Sequence, residues 1–349
     1  MPKNSIGHFL KPAVTNLRFL NQSRPYVVGE INTGHFGDVA LALDAVKKAG
    51  EAGCSCIKFQ SWQPESLYTD RYLLKNRIEA RFYQKLSLNE EALARIADYA
   101  HECGIGFTST AYSESEVDFL ASLKSVPFLK IASMDITYLH LIRHADRTGL
   151  PLVISTGMAS KEEIFSAVNA VADPSSVCLL HCTSLYPTPL EFANIDNVLW
   201  LIKEFPDCSI GFSDHTLGAV AATGAVALGA RLIEKHVTLD KTKPGFDNAM
   251  ALTFQELENF ITTVSQVAVA KGIFERNLSE LEIDQRQKLR RSIYTARQIL
   301  KGEKIDYSML QLKRPGIGLS VAELDIVIGR TALRTIDSGE LIKKSDLVS

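Results

Sequence analysis

Short apolar runs alternate along this chain with longer stretches of helical periodicity. The runs fall at 26–31, 55–60, 104–108, 128–131, 152–155, 177–181, 209–212 and 232–235. They are continuous rather than strictly alternating, which suits parallel strands covered on both faces. Helix signals lie between them. Asp38 caps a helix over 39–52 that ends near Gly53, and Asn89 caps 90–102 before Gly104. Ser160 with Glu163 forms a capping box, 217–229 is rich in small residues, and Thr253 with Glu256 opens a long helix toward Lys271. Eight such units over about 250 residues predict an α/β fold, a (β/α)8 TIM barrel. A doubly wound sheet is the alternative. The first strand is not followed by a Gly-x-Gly-x-x-Gly turn, which tells against its dinucleotide-binding form.

The pattern divides the chain into an N-terminal extension at 1–22, the barrel at 23–272, a charged and partly helical linker at 273–290, and a last segment at 291–349. That segment is broken at Lys301-Gly302, Pro315-Gly316 and Ser338-Gly339, as a small, mostly β domain would be. Its core is too small to dominate stability alone, so it is expected to lean on the barrel or on a second subunit.

Composition narrows the partners. Lys and Arg number 38 against 40 Asp and Glu, a formal charge of -2, which gives no support for nucleic acid or an anionic membrane. The first residues show no secretory pattern, and no later run reaches the roughly 20 apolar residues of a membrane helix. Six cysteines in 349 residues do not read as a disulfide scaffold. Cytoplasm is the expected compartment. Cys178, His181 and Cys182 lack the paired spacing of a structural zinc site.

Active sites of such barrels lie at the C-terminal ends of the strands, and polar residues gather there: Glu30; Lys58 and Gln60; Thr108, Ser109 and Thr110; Lys130, Ser133 and Asp135; Ser155, Thr156 and Gly157; His181, Thr183, Ser184 and Tyr186; Ser213, Asp214 and His215; Glu234, Lys235 and His236. A mouth holding both Lys58 and Lys130 needs an anion to offset their desolvation and repulsion, which points to a phosphorylated ligand. His215 and His236 follow neighbouring strands. They suit a divalent ion completed by oxygen ligands, Mn²⁺ or Mg²⁺, the alternative being two polar core histidines without metal. Glu30 and Glu234 are candidates for proton handling or for structural ion pairs.

In order along the chain, Val28-Gly29-Glu30-Ile31 with His35 and Gly37-Asp38, Ile57-Lys58-Phe59-Gln60, Lys130-Ile131-Ala132-Ser133, Ser155-Thr156-Gly157-Met158, His181-Cys182-Thr183-Ser184 with Tyr186-Pro187, Gly211-Phe212-Ser213-Asp214-His215-Thr216 and Glu234-Lys235-His236 resemble the sialic acid synthase family of N-acetylneuraminate, legionaminate and pseudaminate synthases. Arg290-Arg291-Ser292-Ile293-Tyr294 and Arg314-Pro315-Gly316-Ile317-Gly318 resemble its antifreeze-like SAF domain. The resemblance implies condensation of phosphoenolpyruvate with an N-acetylated hexosamine and loss of phosphate by C–O cleavage. It implies phosphoenolpyruvate binding by Lys58, Thr110, Lys130, Ser133, Ser155 and Ser213, sugar contacts from Gln60, Tyr186, Asp247 and Arg314, metal ligation by His215 and His236, and proton chemistry at Glu30. It further implies a domain-swapped homodimer in which Arg314 reads the N-acetyl group in the partner's barrel. Another phosphoenolpyruvate-dependent aldol synthase, or a noncatalytic sugar- or phosphate-binding barrel, is the alternative.

Three places depart from the family pattern. Asn32 and Gly34 stand where glycine and asparagine are common, Leu185 stands where an asparagine often binds phosphate, and Gly245-Phe246-Asp247-Asn248 replaces Gly-Pro-Asp-His. Phe36, Leu185 and Phe246 are expected to make a less polar sugar pocket, suited to a deoxygenated sugar.

Overall fold

The protein is described by a computed structural model that covers residues 17–20, 23–60, 63–243, 245 and 247–348. It divides into two compact units, Met1–Gly272 and Ile273–Ser349.

In the first unit, strands β1 (Tyr26–Asn32), β2 (Cys56–Gln60), β3 (Gly106–Thr110), β4 (Leu129–Ile131), β5 (Leu152–Ser155), β6 (Val177–His181), β7 (Ser209–Asp214) and β8 (Leu232–Thr238) form a parallel sheet in chain order. It closes through pairing of β1 with β8. This is the (β/α)8 barrel that the apolar rhythm predicts. A two-residue strand, β9 (Leu252–Thr253), pairs with the end of β8.

Alternation along each strand divides the side chains between two environments. Val27, Ile31, Ile57, Phe59, Phe107, Ile154, Leu179, Phe212 and Ile233 point outward and pack with the helices. Tyr26, Val28, Cys56, Phe128, Val153, Cys178, Leu180 and Leu232 form a second cluster inside the barrel, near the strand starts. Leu17 and Leu20, in the stretch read as an extension, are buried in that same cluster. Gly211 belongs to the inner layer because nothing larger fits: a Cβ there would lie 2.5 Å from Leu180 Cδ2 and 2.6 Å from the Leu232 carbonyl oxygen. Higher in the barrel the inward series turns polar, from Val28 to Glu30, Cys56 to Lys58, Phe128 to Lys130, Val153 to Ser155 and Leu232 to Glu234.

The capping signals hold where they were read. Asp38 Oδ1 accepts from the Ala40 N–H and Asn89 from the Ala92 N–H, and Ser160–Glu163 and Thr253–Glu256 form reciprocal capping boxes. The third strand begins two residues later than its apolar run suggests. Gly104 closes the preceding helix at φ 73, a left-handed conformation that suits glycine. Three short helices, Pro64–Leu67, Asp70–Lys75 and Arg77–Leu86, precede Glu90–Glu102 in the β2-to-β3 connection.

The second unit starts with the helix Glu280–Leu289 and continues into an antiparallel pair, Ser292–Thr295 with Leu310–Lys313, surrounded by isolated bridges and 3-10 turns. Ile293, Ile299, Ile305, Val327, Ile336 and Ile342 centre its core. No helix among the described residues is long and apolar enough to cross a membrane.

Candidate active site

The upper, polar part of the barrel opens into a cavity of about 210 Å³. Strand register brings its groups to a common level: Glu30 pairs with both Lys58 and His236, Thr110 with both Gln60 and Lys130, and Ser213 with Glu234. Of the residues to which the resemblance gives a role in proton chemistry, phosphoenolpyruvate, sugar or metal binding, all but Arg314 line this cavity, as does Glu234: Glu30, Lys58, Gln60, Thr110, Lys130, Ser133, Ser155, Tyr186, Ser213, His215, His236 and Asp247. Arg314 lies in the second unit, exposed, on the loop after the Leu310–Lys313 strand.

The two lysines are compensated differently. Lys58 ion-pairs with Glu30, lies 3.8 Å from Glu234 Oε2 and donates to Thr110 Oγ1 at 3.1 Å. Burial pulls its pKa down to about 8, with Glu234 opposing and Lys130 reinforcing the shift. Lys130 donates to Ser155 Oγ at 2.7 Å and to the Ile131 carbonyl at 3.0 Å, and makes no ion pair within 4.0 Å among the described residues. The sequence argument that both lysines call for an anion is therefore corrected: two carboxylates of this chain serve Lys58, and the unmet charge is on Lys130.

Hydroxyls and one backbone amide surround that charge. Ser133 Oγ accepts from the Gly157 N–H at 3.1 Å and lies 3.2 Å from Cys182 Sγ. Ser184 Oγ is buried in the cavity wall without a hydrogen-bond partner. Gly157 is required by this closeness, since a Cβ would sit 2.3 Å from Ser184 Oγ and 2.8 Å from Ser133 Oγ.

Across the cavity lie the histidines, with ring centroids 5.3 Å apart and the Tyr186 ring 4.2 Å from that of His215, tilted by 36°. His215 Nδ1 is 2.8 Å from the Thr183 carbonyl. That bond fixes the proton on Nδ1 and leaves the lone pair on Nε2, which lies 3.4 Å from Ser213 Oγ. His236 Nδ1 is buried with no hydrogen-bond partner, and Asp247 Oδ2 stands 3.5 Å from it. Burial lowers the pKa of both rings, that of His236 well below the usual imidazole range, so both are neutral donors. Among the described residues no group of three or more His, Cys, Asp or Glu is arranged to hold a metal. The donor set fits an ion held by two imidazoles with its remaining positions open.

Burial by itself raises the Glu234 pKa. The charges of Lys58 and Lys130 and the Ser213 hydroxyl, which donates to Oε1 at 2.9 Å, outweigh it and keep the carboxyl below its usual range. Burial raises the Asp247 pKa, opposed by the Asn32 amide and by Lys58.

The NeuB family model matches residues 45–276, and the SAF domain model matches residues 290–348. The chain belongs to the NeuB family. An uncharacterized protein of Methanocaldococcus jannaschii is 34% identical over 334 residues, covering 95% of this chain and 97% of its own length. The N,N'-diacetyllegionaminic acid synthase of Legionella pneumophila is 33% identical over 329 residues, covering 90% of this chain and 92% of its own length. Among solved structures, the N-acetylneuraminic acid synthetase of Leptospira borgpetersenii superposes with a TM-score of 0.70 at 28% identity, over 76% of this chain and 92% of that one.

Within this NeuB-family site several strand-end residues singled out by position lie elsewhere. His181, Asp214 and Lys235 have outward parity. His181 Nε2 bonds the Ala193 carbonyl at 2.8 Å, and Asp214 and Lys235 form a fully buried ion pair at 2.8 Å. The sequence places Phe36, Leu185 and Phe246 in an apolar sugar pocket. Leu185 is about half exposed and, like Phe36, does not line the cavity, while Phe246 lies outside the described residues. Met134 and Met158 supply exposed apolar surface at the cavity wall instead. Tyr112, Ala132, Cys182 and Ser184 complete the lining. Tyr112 and Cys182 escape the sequence reading, although inward parity, extending the series of Thr110 and Leu180, is a signal that finds them.

Proposed function

We propose that this NeuB-family chain joins phosphoenolpyruvate to the open-chain aldehyde of an N-acetylated hexosamine, releasing phosphate by C–O cleavage and forming a nonulosonic acid. The observation that carries this reading is the polarity of the cavity at the strand ends. One wall presents Lys130 without a carboxylate and a ring of hydroxyls, and the opposite wall presents two neutral imidazoles flanked by carboxylates.

On the first wall, Lys130, Ser133 and Ser155 hold the phosphate and carboxylate of phosphoenolpyruvate, with Lys58 and Thr110 beside them and Ser213 reaching in from the histidine side, where it bonds Glu234. The orphaned Ser184 hydroxyl is a further donor there. On the second wall, Gln60, Tyr186 and Asp247 face the hydroxyls of the sugar. C3 of phosphoenolpyruvate bonds to the aldehyde carbon, whose oxygen gains a proton. Water adds at C2 and gives one proton to Glu30; the C2–O bond to phosphate then breaks, and the C2 hydroxyl becomes the ketone as its remaining proton leaves with the phosphate. The Glu30–Lys58–Glu234 array keeps that proton within the site. Mn²⁺ or Mg²⁺ held by His215 and His236 would supply, when bound, polarisation of the aldehyde oxygen. We further propose that Arg314 of a second copy completes the site by reading the N-acetyl group. Support comes from the exposure of that guanidinium and from the exposed Met134, Met158, Leu185, Leu190, Phe192 and Leu217 on the β–α connections.

The test is a product-identified assay with phosphoenolpyruvate carrying ¹⁸O in the C–O–P bridge, Mn²⁺ and several N-acetylated aldoses. Phosphate carrying the label, formed only when an amino sugar is present, is the expected result. Label retained in the organic product, or phosphate release that ignores the sugar, overturns the reading. His236→Ala should lose metal-supported turnover with little loss of fold by circular dichroism, and undiminished wild-type turnover after exhaustive chelation would refute the ion's role.

A further inference from the structure

We infer that Asn32 is a positioning residue that sets where the Asp247 carboxylate stands in the cavity. Asn32 does not itself line the cavity. It ends β1, at the point where the register with β2 shifts between Glu30 and Asn32. Its φ of 44 lies in the left-handed region, which asparagine tolerates better than other side-chain-bearing residues. This turn gives one residue two contacts. Its backbone N–H donates to Glu30 Oε1 at 2.7 Å, and its side-chain Nδ2 donates to Asp247 Oδ2. Carboxylates from the two ends of the barrel sequence are thereby fixed to one point.

The segment carrying Asp247 is tied mostly to itself. Thr238 Oγ1 donates to Asn248 Oδ1 at 3.2 Å, Asn248 Nδ2 donates to the Lys243 carbonyl at 3.1 Å, and the N–H groups of Met250 and Ala251 donate to the Asp247 carbonyl. Toward the loop after β1 it is held by the Asn32 bond and by Lys243 Nζ, 5.0 Å from the Phe36 ring centre. The amide orientation is informative. Asn32 is 7% exposed and its Oδ1 is buried with no partner. Flipping the amide would set that oxygen against the carboxylate, so an unsatisfied acceptor is tolerated in order to keep Nδ2 on Asp247. The neighbouring turn residues cannot substitute. His35 Nδ1 already accepts from the Gly37 N–H, and a Cβ at Gly34 would meet the Ile31 carbonyl oxygen at 3.0 Å.

This rests on the proposed role of Asp247 toward the sugar, and the experiment separates the two. Asn32→Gly keeps the left-handed turn and the N–H to Glu30 while removing the amide. The Michaelis constant for the sugar should rise roughly tenfold or more, as for loss of a hydrogen bond to a charged group, with that for phosphoenolpyruvate within about twofold. In an Asp247→Ala background the same change should have no further effect on the sugar. Hydrogen exchange of peptides covering Asp247 should quicken in Asn32→Gly while the barrel strands stay as protected as before. This last readout needs no turnover, so it tests the positioning even if the proposed reaction is wrong. Unchanged exchange at Asp247, equal rises for both substrates, or additive effects with Asp247→Ala would overturn the inference.

Discussion

Buried carboxyl groups without a partner keep their protons to higher pH, and Asp135 is one. It ends the 3-10 turn Ser133–Asp135 after β4, with Oδ2 buried and unpartnered. Burial, then the negative charge of Glu116, raises its pKa from 3.8 to about 6, with Lys130 opposing. Between those values the folded state holds more proton than the unfolded one, so this group's contribution to stability falls as pH rises through the window and stays lower above it. Asp135→Asn should therefore stabilise the fold by about 1 kcal/mol at pH 8, less than the full shift would give because water screens the exposed part of the carboxyl, and change little near pH 4. Urea unfolding across that range checks this, and a difference independent of pH would dismiss it. At this scale the sequence was informative where side-chain direction follows from strand parity, as for Lys58, Gln60 and Lys130. It was silent where charges meet across strands. That Glu30 and Glu234 both serve Lys58 depends on closure of β1 against β8 and on register, neither of which a linear pattern specifies.

Along whole strands, the inward and outward positions carry different kinds of polar residue. Lys235 lies between Glu234 and His236 yet points the other way, bonding Asp214 at 2.8 Å and the Thr216 carbonyl at 2.5 Å, with the Phe260 ring centre 5.6 Å away. This pair is structural. Lys235→Met should lose about 3–5 kcal/mol, because it strands a buried carboxylate, and Lys235→Met with Asp214→Leu should recover part of that. Urea midpoints of the two variants decide it; a double variant no more stable than the single one would count against the pair. The barrel strands were legible because both of their faces are covered, which makes each an uninterrupted apolar run. The helices between Pro64 and Leu86 carry signals of their own, the Thr69 cap before Asp70–Lys75 and the apolar face of Arg77–Leu86 that buries Tyr83 and Leu86, but they fall between two strands where a β–α unit leads one to expect a single helix.

At the level of the molecule, the two units differ in how they are stabilised. The barrel has a large core, whereas the second unit has a small aliphatic cluster and a surface loop presenting Arg314. If Arg314 of a second copy reads the N-acetyl group, Arg314→Ala should raise the sugar's Michaelis constant far more than that of phosphoenolpyruvate, and mixing Arg314→Ala with a Lys130→Ala variant should restore some turnover through hybrid dimers. Equal effects on both substrates, or no restoration on mixing, would remove Arg314 from that role. The architecture was readable from spacing because each β–α unit repeats the same demand for cover. Arg314 was reached only through resemblance, since no periodicity connects a loop in one unit to a cavity in another. Inside the barrel, the bore changes from oily to polar partway along each strand, so cohesion and chemistry occupy separate storeys. Altered ligand range can then be sought upstairs, at Gln60, Met134 or Met158, while the ground floor from Leu17 to Leu232 keeps the polypeptide assembled.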